Sequence, residues 1–469
     1  MLLHDYLDQQ IEFEKKYGED TLVLMQVGSF FEFYGVDNKE ERIGRPKKVA
    51  ELLNIQLTRR NKAILENSRN NCLMAGFPTH SLKRFVHILL QSHFTIVLIE
   101  QVTPPPNPKR EITQIFSPGT YIDDITNFNP NNIVSLYVSQ ENCYKTHKEI
   151  YVFGLSAIDL STGNNYIYEA KLNYFDKNAF FEEIYRFIET FQPKEIIIIE
   201  NDFVYKDWVS KIHTQNRLIH FKKIEAKHQK IHYQNSFLET FFESRGFYSP
   251  IEYLHLEQKP FGIISYIFLL EFSFEHNERI TQKINTPQFW NYDDHLILYH
   301  NALYQLNIVS LHQNENHKYK SLFHIIDKTR TPLGKRFLLY NIHNPSTNVD
   351  VINKRYELIQ ENIDKRIYVK IEKWMNEIID IERIHRKIAL GKLHPFELYQ
   401  LCNTYENIHH IIDLVRHELS INGFRSGTLK EQLSQLWDNF VEMTDQTIKD
   451  FLSVTHLGNV LNQLKGIIL

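Results

Sequence analysis

The stretch "GSFFEFY", residues 28 to 34, sets one acid, Glu32, among aromatic rings at the end of the apolar run "LVLMQV". In extended backbone successive side chains alternate, so Phe30 and Glu32 fall on one face and Phe31 and Phe33 on the other. A ring projecting from a basic surface can be driven between base steps from the minor groove, at a cost of roughly a few kcal/mol in unstacking. A poorly stacked site yields at lower cost, so such a wedge discriminates through deformability without a base code. A carboxylate beside phosphates is repelled; Glu32 is justified there if it accepts a hydrogen bond from a displaced base that lacks its Watson–Crick partner. The plain alternative is that the phenylalanines are core and Glu32 is a solvated acid at a strand end.

Such a pair needs a strand that ends near Gly28 and a scaffold behind it. "DTLVLMQVG" reads as that strand, "PKKVAELLNI" as a short helix and "FTIVLIEQV" as a buried strand. In "SLKRFVHILLQS", Leu82, Phe85, Val86, Leu89 and Leu90 recur at helical spacing, with Ser81 placed to cap. Residues 41 to 62 carry seven Lys/Arg (Arg42, Arg45, Lys47, Lys48, Arg59, Arg60, Lys62) against Glu41 and Glu51, a local balance of +5 in a chain of net charge −4. That run is either a phosphate-facing patch or a solvated face.

The 469 residues, 42% apolar and 23% charged, are ordinary globular composition and too many for a single core. "TPPPNPKR" at 103 to 110 is an exposed loop, and "DDITNFNPNN" at 123 to 132 has linker composition. A second α/β unit follows, with "EIYVFGLSAIDLSTGNNYIYEA" as two strands joined through "STGN", "FFEEIYRFIETFQP" as a helix and "KEIIIIEN" as a central strand. From about residue 250 the texture turns to long helical periodicity. The fold class is therefore multidomain, two α/β domains followed by an all-α domain: 1–124, a linker at 125–132, 133–248, and 249–469. The last helical pattern stops without cap or tail, which reads as a truncation.

Other chemistries find little support. No window reaches a membrane-spanning length, and the N-terminus is too acidic and polar for a signal peptide, so an intracellular protein with no membrane partner is expected. Cys72, Cys143 and Cys402 lack C-x-x-C spacing, and the histidines, His409 and His410 included, show no H-E-x-x-H, so no metal is expected. There is no G-x-x-x-x-G-K-[ST]; in Gly334-Lys335 and Gly391-Lys392 the Mg²⁺-binding hydroxyl position is taken by Arg and Leu. No catalytic residue and no cofactor is assigned to this chain. A metal-dependent nuclease of RNase H-like fold stays open as an alternative, with Asp159 and Glu200 at strand ends as its carboxylates.

"GSFFEFY" resembles the G-x-F-Y-E motif of MutS-family DNA mismatch-repair proteins, and further stretches follow in that family's order. "LLNIQLTRR" at 52 to 60, "MAGFPTH" at 74 to 80, "EQV" at 100 to 102 and "SPGTYIDD" at 117 to 124 are similar to the rest of its mismatch-binding domain. "SAIDLSTG" at 156 to 163 is similar to its RNase H-like connector, and "TRTPLGKRFLLYNIHNP" and "IIDIERIHRKIALGKLHP" to its helical core and lever. The resemblance implies that Phe30 is the ring that inserts at a mispair and Glu32 the acid that bonds the displaced base. It makes Arg59, Arg60 and Arg110 candidates for DNA backbone contacts, and Gly28, Phe31, Met74 and His80 supporting residues. Phe31 departs from the family's usual Tyr, which puts a local hydrogen bond in doubt. The implied partners are double-stranded DNA with mispairs or small loops, a second copy or a paralogue, and downstream repair factors. ATP and Mg are implied for a full-length clamp-forming ATPase whose clamp and ATPase domains lie beyond Leu469. A DNA-repair scaffold without mismatch reading, with Phe30 buried, is the remaining alternative.

Overall fold

The computed structural model describes residues 2–64, 66–104, 108–122, 129–142, 149–173, 177–201, 217–242, 246–291, 295–296, 298, 300–308 and 321–422. Cys143, residues 125–128 of the expected linker and the C-terminal pattern beyond residue 422 lie outside them. The chain divides into two units, Met1–Asn291 and Tyr292–Leu469.

The first unit opens with α1 (Leu2–Tyr17), β1 (Thr21–Val27), β2 (Phe30–Asp37), β3 (Arg42–Ile43), α2 (Pro46–Leu53), β4 (Thr58–Arg59), β5 (Leu73–Pro78), α3 (Leu82–Gln91), β6 (Thr95–Gln101) and β7 (Arg110–Phe116). The strands form one mixed sheet in the order β4-β5-β2-β1-β6-β7, with β3 paired to β2 and β1 parallel to β6. β1 and β6 read as continuous apolar runs because both faces of the sheet are covered. On α1, Tyr6 donates its hydroxyl to the Val23 carbonyl (2.7 Å), and Gln10 bridges the Thr21 carbonyl and the Val23 amide. Ser81 occupies the position before α3 but makes no capping bond: a 3-10 turn over Thr79–Ser81 leads into the helix and holds its backbone in a helical conformation.

The second sheet contains β8 (Asn132–Asn142), β9 (Glu149–Asp159), β10 (Asn164–Asn173), β11 (Glu195–Glu200), β12 (Leu218–Lys223) and β13 (Gln288–Phe289), with α4 (Lys177–Phe191) between β10 and β11. Its order is β12-β11-β8-β9-β10-β13; β8, β9 and β10 form an antiparallel meander, and β11 and β12 run parallel to β8. This is the RNase H-like arrangement expected. The linker is shorter than 125–132 implied, because Asn131 is buried with its amide on the Gly119 and Tyr121 carbonyls, and Asn132 already opens β8.

The boundary at 249 is corrected. After α5 (Ile231–Leu238) and α6 (Pro250–Tyr253), the helix α7 (Pro260–His276) packs on the second sheet instead of opening a helical domain. It is apolar nearly all round because sheet and neighbouring chain cover it on more than one side. Its Ser265 hydroxyl donates to the Ser135 carbonyl and pairs with Ser156, and Tyr266 donates to Asn165. The approach is close enough that a Cβ on Gly154 would come within 1.9 Å of the Phe261 carbonyl oxygen, so only glycine fits there.

A polar seam joins the two sheets inside this unit. Glu195, 0% exposed, accepts the Gly119 amide (2.6 Å) through one oxygen and meets His220 Nε2 (2.9 Å) through the other. Lys16 of α1 pairs with Glu275, and the Tyr17 ring packs edge-on against His276. His276 Nδ1 bonds the Phe272 carbonyl, and its Nε2 is buried without a partner among the described residues. Burial pushes the His276 imidazole down to about 4. The unfolded chain binds a proton at an ordinary histidine value near 6.5 that the folded chain refuses, so stability falls as pH drops from about 6.5 to 4, by about 3 kcal/mol. Glu195 is held below the ordinary carboxylate range by its hydrogen bonds and charge attraction to His220, which outweigh the upward push of burial; its stabilising contribution is lost as pH falls further, through that depressed value. Thermal melts across this range should show His276→Leu with a shallower decline than the wild type, and an unchanged slope would mean that another group titrates.

The second unit is helical in its described part: α8 (His300–Gln305), α9 (Leu322–Ile326), α10 (Pro332–His343), α11 (Val349–Lys365), α12 (Ile367–Met375), α13 (Ile381–Ala389) and α14 (Pro395–Asn422). Thr331, Asn348 and Asp380 each accept a first-turn amide, which starts α10, α11 and α13. Arg336 on α10 forks onto Asp380 (2.8 Å) and Glu382 (2.6 Å), joining the two segments picked out in the sequence as helical core.

Candidate nucleic-acid interface

β1 and β2 form a hairpin in which Val27 stands opposite Phe30, leaving Gly28 and Ser29 as the turn. Gly28 has φ +61 and Ser29 has no positive φ, the pattern of a type II′ turn, which needs glycine first. The turn therefore delivers Phe30 at the tip. Its ring is 44% exposed, whereas Phe31 is 2% and Phe33 0% exposed. The alternation read from the sequence holds, and the reading that puts all three rings in the core fails for Phe30 alone.

On the opposite face Phe31 lies near Phe77, which packs on Phe85 of α3 at 4.5 Å. A Tyr hydroxyl at position 31 would point away from Glu32. The hydroxyl on the Glu32 face comes instead from Tyr34, which donates to the Glu32 carboxylate. Tyr34 is braced edge-on against Tyr6 of α1, with ring centroids 4.9 Å apart. Along this face Tyr34 and Glu32 are both half-buried and Phe30 is exposed. Gly76 stands directly across from Glu32 on β5, and a Cβ there would meet Glu32 Cγ at 3.0 Å and the Phe31 carbonyl oxygen at 2.7 Å.

The supporting residues surround this pair. Pro78 lies opposite Phe30, and the Thr79 amide donates to the Ser29 carbonyl (2.9 Å), which ties the 3-10 turn carrying exposed His80 to the hairpin tip. Met74, half-buried, stands opposite Tyr34. On the other side Gln26 bonds the Gly28 carbonyl, and its own carbonyl accepts from Gln101 and from Arg110 Nε (3.1 Å). Arg110 is thus fixed beside the hairpin through Nε, and its terminal guanidinium nitrogens make no hydrogen bond among the described residues.

The basic run 41–62 divides. Arg45 binds Glu19 and Asp20, Lys48 binds Asp20, and Lys47 binds Asp37, so the α2 end is a neutralised face. Arg59, at the β4 edge, donates to the Ile64 carbonyl (3.0 Å). Arg60 is exposed, has no acidic partner among the described residues, and its charge reaches the Tyr34 phenol. The cations of this run without an acidic partner among the described residues are Arg42 at its start and Arg59, Arg60 and Lys62 at its end. Sequence reasoning missed Tyr34, Gln26 and Gly76; the period-two rule that paired Phe30 with Glu32 would also have placed Tyr34.

The carboxylates of the nuclease alternative are separated. Asp159 stands opposite Asn132 at the start of β8, while Ile199, one residue before Glu200, stands opposite Tyr137. At about 3.3 Å per residue the two acids lie about 16 Å or more apart along the sheet, too far to share a metal ion. Asp159 is also occupied, accepting from the Ser161 amide and hydroxyl and from the Asn131 amide. The Gly-Lys pairs do not fit a nucleotide either. The Gly334 amide serves the Thr331 cap and Lys335 reaches Asp327, while Gly391 ends α13 with its amide on the Ile388 carbonyl. No nucleotide-dependent step is derived from these residues.

Two family models match the chain, MutS domain I over residues 6–125 and MutS domain III over residues 301–460. The chain is 31% identical over 441 residues to a protein of Acanthamoeba polyphaga mimivirus named as a DNA mismatch repair mutS homologue, a match covering 88% of this chain and 39% of that one. It is 26% identical to the DNA mismatch repair protein MutS of Halothermothrix orenii, covering 84% and 40% of the two chains. For the MutS of Caldanaerobacter subterraneus the identity is again 26%, covering 95% and 47%. The chain belongs to the MutS family of DNA mismatch repair proteins. It spans about two fifths to a half of the length of these relatives. Among the described residues no helix is long and apolar enough to cross a membrane.

Proposed function

We propose that the first sheet domain reads mispaired or looped-out bases in double-stranded DNA, with Phe30 entering the stack from the minor groove and Glu32 accepting a hydrogen bond from the displaced base. The observation that carries this reading is the hairpin tip: of three neighbouring phenylalanines, the one beside the half-buried acid is turned out of the core. Arg110, held beside the tip through the Gln26 carbonyl, and Arg60, beside Cys72 at the end of β5 away from the tip, supply contacts to phosphates, which fix position without reading sequence. For the protein as a whole the family suggests an ATP-dependent sliding clamp with Mg, pairing with a second copy or a paralogue and passing the DNA on to downstream repair factors. None of those steps is assigned to residues of this chain.

Titration of matched and single-mismatch duplexes over a salt series tests the reading. The wild type should bind the mismatched duplex more tightly at every salt concentration, and equal binding of both would return the hairpin to a scaffold role. Arg60→Gln should weaken both duplexes alike and lower the slope of log affinity against log salt by about one, leaving the ratio unchanged. A changed ratio at constant slope would move Arg60 from phosphate contact to base reading.

A further inference from the structure

We propose that Tyr34 is a positioning residue for mismatch reading, holding the Glu32 carboxylate so that one oxygen stays with the phenol and the other is presented to the displaced base. This inference rests on the wedge-and-acid reading of Phe30 and Glu32.

The sheet register supplies the geometry. Glu32 and Tyr34 are two residues apart on β2, on one face, and their cross-strand partners on β5 are Gly76 and Met74. The Tyr34 hydroxyl donates to Glu32 Oε2, while no protein donor among the described residues reaches Oε1. Its ring is braced edge-on against Tyr6, whose own hydroxyl donates to the Val23 carbonyl. Gly76 leaves the space across from Glu32 that a larger side chain would fill.

Burial and the neighbouring carboxylate push the Tyr34 phenol well above its ordinary value, so it remains a donor across the working pH range. A half-buried glutamate without a fixed donor samples several rotamers, and the Tyr34 hydroxyl reduces the ordering that base contact requires. The acid is then set to accept from a base N–H.

A double-mutant cycle on the full chain, read as the ratio of affinities for mismatched and matched duplex, separates this role from packing. Tyr34→Phe retains the ring and its contact with Tyr6 and removes the hydroxyl alone. In the wild-type background it should lower the ratio by about threefold to tenfold, the range of one net hydrogen bond. In a Glu32→Ala background the same change should have no effect, because the carboxylate through which it acts is gone. An equal loss in both backgrounds would show that Tyr34 only supports the strand, and a silent Tyr34→Phe in a wild type that still prefers mismatches would overturn the proposal by itself. A wild type with no mismatch preference would overturn the underlying reading, so the two failures are distinguishable.

Discussion

Phe30→Ala should remove the preference for mismatched duplex while leaving matched-duplex affinity and its salt slope in place. Stacking of an aromatic side chain on a base contributes about 1–3 kcal/mol by alanine substitution, so the mismatched complex should weaken by roughly fivefold to 150-fold. Stability should hardly change, because the ring is already 44% exposed at the hairpin tip and little apolar burial is lost. The same substitution at Phe33, 0% exposed, should instead cost about 3–5 kcal/mol of stability. Equilibrium binding with a parallel melt distinguishes these outcomes. A Phe30→Ala protein that melts early and binds both duplexes poorly would place the ring in the fold and not in the DNA.

The second large effect lies at the seam. Glu195→Ala leaves the Gly119 amide and His220 facing a buried gap with no acceptor, in a site where the carboxylate was fully enclosed. Removing one partner from a buried pair typically costs about 3–5 kcal/mol, since the group left behind keeps its desolvation penalty. Denaturant titration of the wild type and the variant should show this loss as a lower midpoint. Glu195→Gln, which keeps an acceptor of the same size, should recover part of it. A variant as stable as the wild type would mean that water replaces the carboxylate and that the seam contributes little.

The strands β1, β6, β9, β10 and β11 were legible because alternation and β-branched runs are local signals, whereas β5, β7, β8 and β12 were not read, and alternation paired Phe30 with Glu32 without deciding whether the ring is buried. What escaped the sequence were features set by distant partners. The basic run looked uniformly free, yet Lys48 and Arg45 are neutralised by Asp20, which precedes them by more than twenty residues and returns through the sheet. Asp159 and Glu200 both read as strand-end acids, but only the register shows that they occupy opposite ends of the sheet. The segment 260–276 carries the same helical period whether it packs on helices or on strands, and its apolar circumference shows burial without naming the neighbour. At the candidate site the sequence supplied the ring and the acid, while the donor that fixes the acid needed the face occupied by Tyr34 to be seen.

The packing of α7 on the second sheet also sets an order of events during synthesis. The strand β11 is complete at Glu200, but the helix that covers β8 and β9 ends only at His276. At ribosomal rates of about 5–20 residues per second, roughly 4–15 s pass between the two. Through that interval the face of the central strands that α7 covers stays open, long enough for a collision with another chain to compete with correct closure. Slower translation through residues 201–276 should therefore lower the yield of soluble protein, and co-expression of a chaperone that shields apolar surface should restore it.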